Sequence, residues 1–423
     1  MRIASPSMSL NETCSSGAPE TQASGFLSPL VEGYCHPDFR AVADVFCRNF
    51  TERAELGAGV CLMHKGETVV NLWGGYSDAG CTRRWREDSL CLIFSNTKAL
   101  AAICIHALID AGLVSADDRV ERFWPEFGRN GKSGITIGML LNHTSGMVAF
   151  RDKVARGANT DWDYMVCRIA EERPFWKPGE HVGYQMFTHG WLLGEIVRRV
   201  TGMTMGTFLA RTIAQPNGLD IFMGLPSPEF DRLAPVEMFV PDIDNPEHRS
   251  IQNFLGGPGS MASLALFNTG ITHPNSADQL SAELGAHGAV ANAQSLCRLF
   301  SLLERDASCG TGTIMSAKQA RRLAALSCET DRDLSFLIPM RYSQGFMLRI
   351  DNRERTNQRA SSLLIGRNAF GHAGWGGSFV LADPDKGIAM SYVLNRLTGG
   401  RLVNPRGQGL IDAAYECVNA LSA

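Results

Sequence analysis

The spacing of apolar and polar positions divides the chain into strand-rich ends and a helical middle. Between residues 39 and 50, Ala41, Val42, Val45 and Phe46 recur at helical spacing. Two extended runs follow at residues 59–64 and 68–73, joined by Lys65, Gly66 and Glu67. A short glycine-containing link between two such runs predicts a β-hairpin. Residues 99–111 are apolar on nearly every face. Leu100, Ile103, Cys104, Ala107, Leu108 and Ala111 mark one helical stripe, while Ile105 and Ile109 fall outside it. That pattern predicts a helix buried in the middle of the molecule.

Residues 113–127 read as a loop, and residues 135–141 as a short amphipathic piece. Residues 162–303 carry mostly helical signals, clearest over 192–200, where Thr201 and Gly202 close the helix, and again over 293–303. Residues 254–275 are rich in Gly, Pro and Ser and read as an irregular excursion. Strand patterns return at 344–350, 378–382 and 388–394, with a turn at 383–387, and a closing helix is expected over 410–421. Strands at both ends around a helical middle predict an α+β fold, with a central antiparallel sheet flanked by helices. The expected organisation is a flexible leader over 1–25, a discontinuous α/β domain over 26–120 and 330–423, and a mostly helical inserted domain over 121–329.

Composition narrows the function classes. A chain of 423 residues with 44% hydrophobic content can bury a substantial core. A formal charge of −3 offers nothing to attract nucleic acid or an anionic membrane. No apolar run approaches the roughly 18 residues of a membrane span. The 12 cysteines are scattered, several of them in apolar runs (Cys61, Cys91, Cys104, Cys297), and read as small buried hydrophobes in a reducing compartment. Cytoplasmic location is therefore expected. No His-Glu-x-x-His or close histidine pair suggests a metal, and no cofactor is implied. Gly131-Lys132-Ser133 lacks the leading glycine of a phosphate loop, because Glu126 holds that place.

Three groups carry candidate chemistry. Ser95 ends an apolar run just before the buried helix, and Lys98 follows one helical turn later on the same face. A serine hydroxyl needs a neighbouring base, and a lysine amine becomes one when burial lowers its pKa. The free Ser95 amide at a helix start can donate to an oxyanion. The alternative is that Ser95 is a helix N-cap. Tyr184 follows the Lys177-Pro178-Gly179 turn and can share protons with Lys98, or else is a packed aromatic. Gly371, His372, Ala373, Gly374, Trp375, Gly376, Gly377 and Ser378 form a glycine-dense approach to a strand. Such a segment lets backbone come close to a ligand, and an edge-strand amide there is a candidate second oxyanion donor; the alternative is a bulge or tight turn.

In this order the three groups resemble the serine-reactive penicillin-recognising superfamily, and within it the class C β-lactamase-like esterases called family VIII carboxylesterases. Further matching landmarks are residues 140–146 with Asn142, His143, Thr144, Ser145 and Gly146, the segment Gly194-Glu195-Ile196-Val197, and Gly288-Ala289-Val290-Ala291. The resemblance implies a β-lactamase/transpeptidase-like fold and an acyl-enzyme on Ser95. It makes Lys98 the base and Tyr184 the proton shuttle to the leaving group, with a small-molecule ester as substrate. His143 is expected to hold the loop below the site. Two departures are visible. The asparagine of Tyr-x-Asn is Met186, and the lysine of Lys-Thr-Gly is missing under either alignment. If His372-Ala373-Gly374 takes that place, the second oxyanion amide belongs to Trp375; if Trp375-Gly376-Gly377 does, it belongs to Ser378. A pocket without amide and carboxylate partners favours short-chain neutral esters, with weak β-lactam hydrolysis at most. The competing expectations are an amide or β-lactam hydrolase and a non-catalytic binding relative.

Overall fold

The computed structural model describes residues 30–240, 257, 259–304, 314–356 and 361–422. Strands β1 (Val31–Cys35), β2 (Gly57–His64) and β3 (Glu67–Gly75) come from the start of the chain. Three short strands, β4 (Cys91–Leu92), β5 (Ile221–Met223) and β6 (Ala289–Ala291), form a small separate sheet in the order β4-β6-β5. From the end of the chain come β7 (Cys328–Thr330), β8 (Met340–Tyr342), β9 (Met347–Leu348), β10 (Phe370–Ala373), β11 (Phe379–Asp383) and β12 (Ile388–Leu394). Among the described residues, nine strands make one sheet in the order β1-β3-β2-β12-β11-β10-β9-β8-β7. Every pairing in it is antiparallel. The two ends of the chain meet at the β2–β12 seam, where Ala58 to His64 lie opposite Leu394 to Ile388.

Strand β12 is buried along its whole length because both of its faces are covered. Neighbouring side chains on a strand point to opposite faces. Accordingly Ser391 donates to Ala293 O at 2.6 Å in the helix Ala293–Glu304, while the Tyr392 ring meets Phe46 edge-on at 6.5 Å in α1 (Arg40–Glu52). Helix α1 packs against the closing helix Pro405–Ala420. A buried ion pair ties these layers: Arg406 Nη1 lies 2.5 Å from Glu55 Oε1, and the Tyr392 hydroxyl donates to Glu55 Oε2.

Helix α2 (Asn96–Asp110) carries the stretch that the sequence marks as apolar all round, and it is buried from Asn96 through His106. It packs against strand β10 and, on the other side, against the middle of the chain. That middle contains α3 (Ile137–Leu141), α4 (Trp162–Glu171) and α5 (Thr188–Thr201). The middle also supplies β5 and β6, which the helical periodicity there does not reveal; three-residue strands are too short to show an alternation. Part of the 254–275 excursion falls outside the described residues, and the rest is not wholly irregular. Met261–Phe267 is helical, started by Ser260, whose side chain accepts Ser263 N–H. The run expected over 113–127 contains two short 3-10 turns, Val120–Arg122 and Pro125–Gly128. Lys132 is buried and donates to the carbonyls of Ala170 and Glu172 at 2.9 and 2.5 Å, which makes it a structural tie between loops. Among the described residues, no helix is long and apolar enough to cross a membrane.

Removing one partner of a buried ion pair leaves the other charge uncompensated, which typically costs about 3–5 kcal/mol. Arg406→Ala is therefore expected to destabilise the fold by about that amount in urea unfolding. A loss below about 1 kcal/mol would show that water reaches Glu55 after all.

Candidate active site

The N-terminal end of α2 is held from two sides. Ile93 N–H donates to Ala289 O at 3.0 Å, and Ala289 N–H donates to Thr97 Oγ1 at 3.1 Å, so β6 clamps the turn that carries Ser95. Phe94, immediately before the serine, sits at φ +46°, a left-handed conformation rare for a bulky residue. Ser95 itself occupies the N-cap position at φ −67° and ψ −7°, with no capping hydrogen bond from its side chain. Its hydroxyl is thus left available, and the N-cap alternative does not describe what the side chain does.

Lys98 is fully buried, with Nζ 3.2 Å from Ser95 Oγ. The same nitrogen lies 2.7 Å from Met186 O and 2.9 Å from Ala286 O. Among the described residues no carboxylate pairs with it. Burial without a counter-charge pushes its pKa well below the ordinary lysine value. A neutral amine has two N–H donors and one lone pair. The two carbonyls take the donors, and the lone pair is left facing the serine hydroxyl.

Nζ also stands 4.7 Å from the centroid of the Tyr184 ring. The Tyr184 hydroxyl is buried without a hydrogen-bond partner among the described residues. Burial pushes its pKa above the ordinary tyrosine range; the nearby Ser95 hydroxyl opposes that shift and the charge of Asp333 adds to it. The phenol therefore keeps its proton in the free protein. Phe336 stacks on the ring at 4.3 Å, and His143 meets it edge-on at 4.9 Å. His143 Nδ1 in turn lies 3.1 Å from Gln185 Oε1, below the tyrosine loop. Four imidazoles, those of His143, His189, His287 and His372, surround this centre. Burial is the main cause that lowers the pKa of each. They are neutral at physiological pH.

The glycine-rich segment lies beside the serine turn, but not on a sheet edge. β10 sits between β11 and β9, and β9 covers only Phe370 and Gly371. His372 onward therefore runs past the end of β9 with that side open, and this is how an interior strand presents free backbone to the site. Gly374 is required by close approach: a Cβ there would lie 2.6 Å from Ile93 O and 2.7 Å from Asn96 Nδ2. Gly374 N–H donates to Ser378 O at 2.7 Å, and the Ser378 hydroxyl accepts from Asn96 Nδ2 at 3.0 Å. Gly376 and Gly377 adopt φ +88° and +111° in the turn. Trp375 is 43% exposed, and its ring lies 6.4 Å from that of Phe94. Among the described residues, neither Ser95 N–H nor Trp375 N–H has a hydrogen-bond acceptor. The structure thus gathers Ser95, Lys98, Tyr184, His372, Gly374 and Trp375 at one locus, with Gly376 and Gly377 shaping the turn and the Ser378 hydroxyl engaged by Asn96.

Several contributors are not evident from spacing. Asn96 links the serine turn to the glycine segment, and its place next to Ser95 is its only signal. Met186, notable in the sequence for the amide it lacks, acts here through its backbone carbonyl. Asp333 and Phe336 reach Tyr184 from a loop far along the chain and carry no local motif.

The chain is similar to known proteins over most of its length. The Beta-lactamase family model matches residues 42–414. The esterase/beta-lactamase LipL of Mycobacterium tuberculosis is 28% identical over 386 residues, which is 87% of this chain and 83% of that protein. The esterase EstB of Burkholderia gladioli is 30% identical over 192 residues, 41% of this chain and 48% of that protein. Among solved structures, a family VIII carboxylesterase superposes with a TM-score of 0.81 at 33% identity, covering 92% of this chain and 99% of that one. A penicillin-binding protein homologue from Caulobacter crescentus gives the same TM-score of 0.81, also at 33% identity and the same coverage. With a match that runs from α1 into the closing helix, this chain belongs to the Beta-lactamase family.

Proposed function

We propose that this protein is a serine carboxylesterase that hydrolyses short-chain acyl esters through an acyl-enzyme on Ser95. The observation that carries the reading is the Lys98 amine, 3.2 Å from Ser95 Oγ and anchored by two carbonyls with no carboxylate partner. The similarity to LipL, EstB and the family VIII carboxylesterase supports it. Lys98 takes the Ser95 proton as Oγ attacks the ester carbonyl carbon. The oxyanion is received by the Ser95 and Trp375 amides, each such donor typically worth about 3 kcal/mol in the transition state. Collapse breaks the bond to the alkoxide, which takes the Tyr184 proton, and the Lys98 ammonium returns a proton to the phenolate. Water then attacks the acyl carbon, gives a proton to the Lys98–Tyr184 pair, and the carboxylic acid leaves as Ser95 recovers its own. A buried pair of this kind titrates jointly.

The substrate class follows from what the pocket lacks. His372, which holds the place of a cationic lysine in one alignment, is neutral in its buried setting. Met186 offers no side-chain amide. At these two positions a carboxylate-bearing β-lactam finds neither a positive charge nor a side-chain amide, and a neutral ester needs neither. Weak β-lactam hydrolysis through the same acylating centre is part of the proposal, in keeping with the name of LipL. The buried free thiols of Cys61, Cys91, Cys104 and Cys297 support a reducing, cytoplasmic setting.

Ser95→Ala is expected to keep its fold and lose at least about 1000-fold in kcat on p-nitrophenyl butyrate, and to lose labelling by a fluorophosphonate whose adduct maps to Ser95 in the parent protein. Wild-type turnover in the variant would remove Ser95 from the reaction, and an unlabelled parent would favour a non-catalytic binding protein. Because the base must be unprotonated, kcat/KM is expected to rise with pH through the Lys98 pKa and then level off. The burial of Lys98 places that midpoint well below the ordinary lysine value. An acid limb centred at the ordinary value would show that the amine is solvated. Finally, kcat/KM on p-nitrophenyl butyrate is expected to exceed that on nitrocefin by at least about 100-fold. The reverse ratio would make the protein a β-lactamase first.

A further inference from the structure

Tyr184 is held from behind by a single buried carboxylate. Asp333 lies in the loop between β7 and β8 and is fully buried. Its Oδ1 accepts Ser335 N–H and Phe336 N–H, each at 2.8 Å. The Tyr184 N–H lies 3.1 Å from Oδ1 and 3.0 Å from Oδ2, and the Tyr342 hydroxyl donates to Oδ2 at 3.1 Å. A second tie, Leu334 N–H to Val182 O at 2.9 Å, stitches the same loop to the segment that carries the tyrosine. Phe336, placed by this carboxylate, is the ring that lies nearly parallel on Tyr184 at 4.3 Å and 17°.

The chemistry of this cradle calls for an anion. Four groups that can only donate or are donating converge on two oxygens, and only an ionised carboxyl offers acceptors in every direction. An asparagine would turn an NH2 toward donors on one side. Among the described residues no cation pairs with Asp333. Burial pushes its pKa up to about 6, against the stabilising hydrogen bonds from Phe336, Tyr184, Ser335 and Tyr342. The fold thus carries the cost of a buried negative charge beside the phenol, and that charge favours the protonated form of Tyr184.

We propose that Asp333 is a positioning residue for the acid–base step, fixing the Tyr184 backbone and the Phe336 ring and holding the Tyr184 proton on the phenol until the leaving group takes it. The proposal rests on the reading of Tyr184 as the proton donor. It is tested by a double-mutant cycle on the full chain with Asp333→Asn and Tyr184→Phe. Turnover of p-nitrophenyl butyrate is expressed per fluorophosphonate-labelled Ser95, so that misfolded protein does not count. Asp333→Asn is expected to lower kcat at least about tenfold with KM changed less than about threefold. In the Tyr184→Phe background the same change is expected to lower kcat less than about twofold, because the hydroxyl it acts through is gone. A wild-type kcat in Asp333→Asn, or an undiminished effect in the Tyr184→Phe background, overturns the proposal. Wild-type kcat in Tyr184→Phe alone would instead remove the tyrosine from the mechanism. If Asp333→Asn yields no labelled serine, Tyr342→Phe carries the test by deleting one donor to the carboxylate. Its expected fall in kcat is about threefold, confined to the Tyr184-containing background, and an unchanged kcat overturns the proposal.

Discussion

One amine buried without a counter-charge governs this molecule. An isolated ammonium in a dry interior is costly, and the inexpensive solution is to give up its proton. The fold makes that solution useful by holding Lys98 on two backbone carbonyls with its nitrogen 3.2 Å from the serine hydroxyl. The carbonyls belong to Met186 and Ala286, so two segments from the middle of the chain must close over α2 before this environment of the amine exists. A carboxylate in either place would favour the ammonium.

The surroundings extend the same logic. Four buried imidazoles line the centre, and none is positioned to be charged next to Lys98. A protonated histidine there would disfavour a positive charge on Lys98. Among the described residues, the carboxylate held against Tyr184 is Asp333, which accepts from the tyrosine's backbone N–H.

Local cost is concentrated around Ser95 and Tyr184. Phe94 holds a left-handed backbone, Asp333 is ionised in the interior, and the Tyr184 hydroxyl is unpartnered among the described residues. The sheet layers supply the frame: both faces of β12 are covered, and the Glu55–Arg406 pair joins α1's end, the sheet and the closing helix. Strain and buried polar groups at functional sites depend on a frame rigid enough to hold them.

Periodicity alone located the β2–β3 hairpin, α2, the helix Ala293–Glu304 and the final strand pair, since those elements bury one or both faces over many residues. The Ser95–Lys98 spacing was readable for the same reason: i and i+3 share a helix face whatever the tertiary fold. Strands β5, β6, β7 and β8 were not readable, because three residues carry no alternation and exist only through their partners. The glycine segment was legible as a close approach but not as part of an interior strand, because strand order is set by pairing between distant segments. Asp333, Met186 O and Ala286 O had no signature at all. A backbone carbonyl has no residue type, and a lone aspartate becomes a tyrosine anchor only when its loop folds against residues 182–184. The sequence by itself determined which groups can react and which helix presents them. The tertiary structure decided their protonation, because pKa values in the interior depend on burial and on neighbours that the chain brings from far away.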